Sequence, residues 1–488
     1  MQQDLKSKAF NGVLWKGFER IGLNLLNLVL PIYLARILLP KDFGVISIML
    51  VFIDISNTLV NNGLCTAIIQ KKDSDEIDKS TVFWIQVFIA VFLYLVLFFS
   101  SPLIADIYNS PEIKSMLRVM SLSIIIGAFA AMQTTELNRT FQFKKSFIAN
   151  LLATIVYGGA GIALGKLGFG AWSLVYANVL NKLTLCLTLS IAIRWKPLFK
   201  MSYQKFKNLF SYSWKLTVGW LIGTLHQNIY TMVIGKVFDK TTLGYYSKSQ
   251  VFPNLFSRTS TEVLTSAIFS TISKVQDSMD EVKKVTRKLM AVSSFIILPI
   301  MAGLSATADK MVPVILTAKW LPIVPLLRIF CIPFAINVIN NANMQPYNAI
   351  GRSDIFMRFE IIKRSFSVVL LIIVSFFNNI ILVACVVAFM GFVSLIMNLF
   401  ANKRILKYKF SEQVVDVLPN LIISVVMALC VYSIGAFSLL SNFVTLIIQV
   451  LVGGLVYILI SAMFKTVGFT FLFSFVKQKL KKSNFYKS

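Results

Sequence analysis

The sequence predicts an all-α polytopic membrane protein of about fourteen transmembrane helices, and three observations carry that prediction. Of its 488 residues, 57% are hydrophobic and only 14% charged. Apolar stretches of about 18 residues or more, long enough to cross the hydrocarbon core, recur from end to end. Lysine and arginine gather in alternate connections, as the positive-inside rule requires of a multi-spanning chain. A soluble domain of this size needs far more polar residues to cover itself. No polar stretch is long enough to fold as a separate domain.

The first apolar stretch begins near Gly12, carries Lys16, Glu19 and Arg20, and runs past Ile32 without a small-residue cleavage site. It therefore reads as a retained helix with a polar inner end rather than a signal peptide. Helices are expected at about 12–35, 43–69, 81–104, 117–137, 147–165 and 170–193. Six more follow at about 213–235, 244–270, 289–308, 325–348, 360–377 and 380–401, then a pair at about 416–437 and 442–464. The link at Asn378-Asn379 is so short that its two helices must form an antiparallel hairpin.

Alternate connections divide the bases unequally, with 32 of the 48 Lys and Arg residues on one side and 8 on the other. That bias predicts both termini in the cytoplasm and an even number of spans. It also accounts for most of the net charge of +27, which in a soluble protein would suggest nucleic acid. No nucleic-acid partner is expected.

An internal repeat organises the spans. Arg36-Ile37-Leu38-Leu39-Pro40-Lys41-Asp42-Phe43-Gly44 returns about two hundred residues later as Lys236-Val237-Phe238-Asp239-Lys240-Thr241-Thr242-Leu243-Gly244. Trp15-Lys16 recurs as Trp214-Lys215, and Leu117-Arg118 as Leu327-Arg328 with Asn138 and Asn348 following at one offset. Ordered matches at near-constant spacing indicate a duplicated six-helix unit. The predicted architecture is two pseudo-symmetric six-helix lobes, 1–199 and 200–410, plus a terminal segment 411–488 holding two additional helices and a basic tail. An even-numbered unit orients both copies alike, with a cavity between them suited to alternating access.

Eight bases lie within or at the ends of spans: Lys16, Arg20, Arg118, Lys182, Lys215, Lys248, Arg258 and Arg328. A charge at the bilayer centre costs about 2.5–3.5 kcal/mol on insertion scales, so such groups usually face a cavity. Arg20, Lys182 and Arg258 are deepest and are the strongest candidates for a cationic substrate site. The other five have snorkelling to the interface as an equal alternative. The acids are fewer. Glu262 follows Arg258 by four residues, an ion-pair spacing, and Glu19 sits beside Lys16 and Arg20. Asp54 has no base within a turn of its own helix, which makes it the best candidate for coupling to a proton or sodium ion, unless a neighbouring helix supplies a partner. Polar stripes at Asn57, Asn61 and Asn62, and at Asn254, Ser257, Thr261 and Thr265, suggest cavity-lining faces. Lone His226 reads better as an interhelical hydrogen-bonding group than as a proton relay. An excess of bases over acids favours an anion such as phosphate.

Other chemistries find no support. The five cysteines lie in apolar spans without a Cys-x-x-Cys pair and read as small buried hydrophobes. Ala160 and Leu167 break the phosphate-loop pattern around Gly165-Lys166. The formal sequon Asn138-Arg139-Thr140 falls on the expected cytoplasmic side. No catalytic residues, metal site or cofactor are expected.

Several segments resemble a known family. Ala35-Arg-Ile-Leu-Leu-Pro-Lys-Asp-Phe-Gly44 with Asn62-Gly-Leu-Cys-Thr-Ala-Ile-Ile-Gln70, Glu136-Leu-Asn-Arg-Thr-Phe-Gln-Phe143, and Phe169-Gly-Ala-Trp-Ser-Leu-Val175 are similar to Wzx-type polysaccharide flippases. The likeness is strongest to the colanic-acid and lipopolysaccharide exporter branch of the multidrug/oligosaccharidyl-lipid/polysaccharide superfamily. It spans essentially the whole chain, with its specific motifs in the first 180 or so residues.

The resemblance implies a bacterial plasma-membrane flippase that moves an undecaprenyl-diphosphate-linked oligosaccharide to the outer leaflet. Polysaccharide polymerase or ligase machinery would be the downstream partner. The family has no universal short active-site motif, so no residue is transferred as a ligand. Two alternatives stand beside it. A drug or cation antiporter of the same superfamily predicts an acid-dominated cavity, and a lipid II or teichoic-acid precursor flippase shares the mechanism with another glycan. A membrane glycan polymerase or ligase, which would be an enzyme, typically needs a larger outer loop than the longest one expected here, about 105–116.

Overall fold

The computed structural model describes residues 22–23, 26, 28–71, 73–272, 278–349, 353–471 and 473–474. Its described secondary structure is helical throughout. Ten helices among the described residues are long and apolar enough to cross a membrane. The chain packs as two compact units, Met1–Gly244 and Tyr245–Ser488.

In the first unit, α1 (Leu28–Ile37) leads into α2 (Pro40–Gln70), α3 (Glu76–Ile107), α4 (Glu112–Met120) and α5 (Leu122–Arg139). There follow α6 (Phe143–Lys166), α7 (Ala171–Ile193) and α8 (Tyr203–Val237), and α9 (Lys240–Ser249) straddles the division between units. Helix α2 is central, packing on α3, α5, α7 and α8. Its C-terminal end buries Leu64, Ala67 and Ile68 against Val82, Phe83, Met132 and Leu209.

Small residues set the helix spacing. A β-carbon at Gly158 would fall 2.4 Å from Leu30 Cδ2, and one at Gly161 would fall 3.1 Å from Leu34 Cδ2. The glycines of α6 thus admit the leucines of α1, as close packing inside a membrane requires. A tighter contact joins the two copies of the repeated corner within the first unit. A β-carbon at Gly44 would meet the Lys240 carbonyl oxygen at 1.8 Å, and one at Gly244 would meet that of Pro40 at 1.9 Å. The contact is reciprocal, each glycine lying against the backbone of the other corner.

The second unit comprises α10 (Val251–Ile272), α11 (Met279–Ile315), α12 (Ile323–Ala349), α13 (Ser353–Ser375), α14 (Ile380–Ile405), α15 (Phe410–Phe437) and α16 (Asn442–Met463). Helix α11 packs on α10, α12, α15 and α16. An amide ladder ties α12 to α14, with Asn398 Nδ2 donating to Asn340 Oδ1 at 3.1 Å and Asn402 Nδ2 to the Asn343 carbonyl at 2.9 Å. Buried amides of this kind hold helices together where the hydrophobic effect supplies no drive.

Several helices overrun the apolar runs that predict them. Helices α8 and α11 begin at Tyr203 and Met279, about ten residues before their expected spans. Ser202 and Ser278 cap these starts, their hydroxyls accepting from Lys205 N and Glu281 N. Lys283–Glu412 and Arg287–Asp416 pairs, both at 2.8 Å, hold the α11 extension to α15. Hydropathy follows only the apolar part, whereas caps and ion pairs carry the helix into water. Two expected single helices are instead broken, at Ser121 between α4 and α5 and at Gln250 between α9 and α10. Pro253 lies just after the second break and cannot donate to the Ser249 carbonyl.

Prolines inside intact helices leave carbonyls that other elements satisfy. Pro102 frees the Phe98 carbonyl of α3, which accepts from Arg118 Nε at 3.2 Å and from Ser101 Oγ at 2.8 Å. Pro299 likewise frees that of Phe295 in α11, which accepts the Tyr457 hydroxyl at 2.8 Å. An unsatisfied carbonyl in hydrocarbon costs several kcal/mol, so these donors stabilise the proline-containing helices.

Candidate functional site

Helices α2, α5 and α7 enclose a polar cavity of about 300 Å³ inside the first unit. Asn57, Asn61 and Cys65, one helical turn apart, bring a continuous stripe of α2 to it. Helix α5 adds Thr134, Thr135 and Asn138, and α7 adds Lys182. Local sequence places these groups. On α7, Asn178 ties its amide back to the Leu174 carbonyl at 2.8 Å, and Lys182 follows one turn later. On α5, the Thr134 and Thr135 hydroxyls bond to the carbonyls four residues back, at 3.0 and 2.9 Å. Gly127 has no side chain to fill the space, and a β-carbon there would approach only Asn57 Oδ1, at 3.9 Å.

Among the described residues Lys182 is the one ionisable base in the cavity wall. Asp54 lies one turn along α2 from Asn57, and its carboxylate interacts electrostatically with Lys182. The neighbouring helix thus supplies an opposite charge within electrostatic reach, without a direct ion pair between the two. Thr58, on the next turn, meets Thr224 of α8 at 3.0 Å. The ensemble offers amide and hydroxyl groups that both donate and accept, together with one ammonium. It suits a polyhydroxylated ligand bearing an anionic group.

The remaining residues predicted from sequence fall elsewhere. Lys16, Glu19 and Arg20 lie outside the described residues. Arg118 donates to Phe98 and to Ser101 Oγ at 2.9 Å, with its guanidinium 4.2 Å from the Phe98 ring centroid. Arg328 donates to the Ser305 carbonyl at 3.2 Å and pairs with Asp309. Arg258 pairs with Glu262 at 3.1 Å along α10, as their spacing predicts, and its side chain is 78% exposed. Lys215 is exposed on α8, and Lys248 is buried on α9. Glu136 pairs with Lys79 at 3.2 Å. Of the six of these bases among the described residues, Lys182 alone lines this cavity. Thr66, Thr134 and Thr135 also line it, and the sequence analysis missed them. Their signal was present, because Thr134 and Asn138 are one turn apart on one face of α5.

Membrane-length helices and a cavity whose described wall carries polar groups and one cation define a polytopic helical membrane protein of transport type. A family model described as polysaccharide biosynthesis protein matches residues 33–325, and the chain belongs to that family. The lipopolysaccharide biosynthesis protein WzxC of Escherichia coli strain K12 is 22% identical over 365 residues, covering 74% of this chain and 73% of WzxC. The succinoglycan biosynthesis transport protein ExoT of Rhizobium meliloti strain 1021 is 23% identical over 306 residues, 63% of this chain and 62% of ExoT. A solved structure of the lipid II flippase MurJ, in an inward closed conformation, matches with a TM-score of 0.76. That match covers 93% of this chain and 98% of the other at 18% identity, a likeness of fold.

Proposed function

We propose that the chain is a flippase of the bacterial plasma membrane. It carries an undecaprenyl-diphosphate-linked oligosaccharide repeat unit from the cytoplasmic to the outer leaflet, for export of a cell-surface polysaccharide. Fourteen spans in two six-helix lobes, 1–199 and 200–410, with a further helix pair in 411–488, would rock in alternating access. Both termini would be cytoplasmic. Support for the duplication comes from the repeated corner, where Gly44 and Gly244 each pack against the backbone of the other copy.

The observation that carries this reading is Lys182 among Asn57, Asn61, Thr134, Thr135 and Asn138. Sugar hydroxyls exchange hydrogen bonds with amides and hydroxyls, while the ammonium attracts a diphosphate or sugar acid as a point charge. The prenyl tail stays in lipid, where apolar chain costs nothing to leave. Asp54 offsets the Lys182 charge through space before the substrate arrives and would be the group through which proton or sodium coupling acts. Arg20 and Arg258 would add to the attraction of the diphosphate along its path. No catalytic group, cofactor or structural metal enters this mechanism. Polymerase or ligase machinery would consume the translocated unit.

The test is deletion of the gene followed by mass spectrometry of the membrane lipids. A lipid-linked oligosaccharide should accumulate and disappear on complementation with the intact chain. Accumulation of lipid II instead would transfer the assignment to a cell-wall precursor. No accumulation, together with altered drug tolerance, would favour an antiporter.

A further inference from the structure

The connection between α7 and α8, residues 194–202, is fastened along the start of α3 by four hydrogen bonds. Trp195 Nε1 donates to Glu76 Oε2 at 2.6 Å, Leu198 N to Ser80 Oγ at 2.9 Å and Ser202 N to Thr81 Oγ1 at 3.1 Å. Trp84 Nε1 donates in turn to the Leu198 carbonyl at 2.8 Å. The apolar run of α3 begins at Val82, just past Ser80 and Thr81. These bonds therefore hold the connection where hydrocarbon gives way to the polar boundary of the bilayer.

Its apolar side chains point outward. Phe199 is 90% exposed and Met201 60%. Phe199 packs on Trp84, their ring centroids 5.1 Å apart. Trp84, Phe88 and Phe92 follow at four-residue spacing on one face of α3, and Phe88 and Phe92 are exposed. In a helix apolar enough to span a membrane, such a face lies against lipid. Phe199 thus prolongs a lipid-facing stripe, whereas an apolar patch of this kind is unfavourable in water.

The charges are one-sided. Residues 194–207 include Arg194, Lys196, Lys200, Lys205 and Lys207 and no acid. The acids beside the connection are already engaged, Asp75 by Lys205 and Glu76 by Lys79 and Trp195. Arg194, Lys196 and Lys200 are exposed and form no ion pair among the described residues. Bases at the ends of spans are ordinary topology. Topology does not require the link that bears them to be fixed at the boundary with its aromatic side outward.

We propose that residues 194–202 form an interfacial anchor that takes a phospholipid of net negative charge. Phe199 and Met201 enter the acyl boundary beside Trp84, and Arg194, Lys196 and Lys200 meet the lipid phosphate. A zwitterionic lipid offers the same chains but offsets its phosphate with its own cation. Phosphatidylglycerol therefore fits, and phosphatidylcholine does not. This surface is separate from the Lys182 cavity and does not depend on what that cavity carries.

Native mass spectrometry of the full chain in detergent tests the charge, with dioleoyl phosphatidylglycerol or dioleoyl phosphatidylcholine added singly. Phosphatidylglycerol should be retained in preference. Lys196→Gln combined with Lys200→Gln should lower its retention roughly tenfold and leave phosphatidylcholine unchanged. Lys403→Gln combined with Arg404→Gln removes the same charge from the exposed end of α14 and should leave both lipids near the parent level. Depth is read in phosphatidylglycerol nanodiscs with brominated acyl chains, from the emission that Phe199→Trp adds to that of the parent. The added indole should be quenched by the bromine and spared by aqueous iodide. Equal retention of the two lipids, unchanged retention in the Lys196 and Lys200 double variant, an equal fall in the α14 control, or quenching of the added indole by iodide alone would overturn the assignment.

Discussion

Arg118 donates through Nε to the carbonyl of Phe98, the oxygen that Pro102 deprives of its helical partner. The guanidinium also covers the Phe98 ring, 4.2 Å from its centroid. A base that looks like a substrate ligand in the sequence thus serves the carbonyl that Pro102 frees in α3. Arg118→Ala should destabilise the purified protein by about 1 kcal/mol. The cost stays modest because Ser101 Oγ keeps a second hydrogen bond to the same carbonyl. Adding Pro102→Ala restores the missing N–H, so the double variant should recover the loss in a thermal melt. Equal melting of Arg118→Ala and the parent would remove this role.

Tyr457 performs the same service for Phe295, which Pro299 leaves exposed. Tyr457→Phe keeps the ring packing on Phe295 and removes only the hydroxyl. A loss of about 1–2 kcal/mol in stability is expected. The Pro299→Ala background should abolish that loss, and a cost that persists there would assign the hydroxyl another partner.

The repeated corner offers a steric test. Gly44→Val would drive a side chain into the Lys240 carbonyl, where even a β-carbon falls at 1.8 Å. A backbone neighbour cannot yield as a flexible side chain does, so the variant should insert but fail to restore polysaccharide export. Gly159→Val is the control, since a β-carbon there meets nothing within 4 Å. Full export by Gly44→Val at normal membrane levels would contradict the contact.

Acid tests the connection between α2 and α3. A hydrogen bond from Lys205, aided by the Asp78 backbone N–H, lowers the Asp75 carboxyl to about 2. A depressed carboxyl contributes stability that is complete above its unfolded value, about 4, and vanishes as pH falls through its folded one. Asp75→Asn should therefore lower the melting temperature at pH 6, and the difference from the parent should close between about pH 4 and pH 2. A difference that stays constant over that window would show that the carboxylate charge is not what matters.

Much of the fold is legible without coordinates because membrane burial writes itself as apolar length. The all-helical class, the short link at Asn378-Asn379 and the Arg258–Glu262 pair follow from local pattern. The extensions of α8 and α11 do not, since they are held by caps and ion pairs to residues such as Glu412, more than a hundred positions away. Charge inside a span is ambiguous for the same reason. Lys182, Arg118 and Arg328 are all candidate cavity bases in sequence, with Lys182 the deepest of the three, yet one lines a cavity, one serves a proline-freed carbonyl and one pairs with Asp309. What distinguishes them is the element packed opposite. Asp54 shows the converse, a carboxylate isolated on its own helix whose base comes from α7.

The central claim is that Lys182 engages the anionic part of a lipid-linked oligosaccharide during translocation. The most direct measurement uses spheroplasts of a strain lacking the gene, complemented with the intact chain or with Lys182→Ala at equal membrane levels. Lipid-linked sugar in the outer leaflet is then labelled with a membrane-impermeant reagent. The intact chain should restore labelling, and Lys182→Ala should reduce it about tenfold to a hundredfold, as expected for losing a contact to a charged group. Lys182→Arg should retain a substantial part. Outer-leaflet labelling by Lys182→Ala at the level of the intact chain would contradict the account.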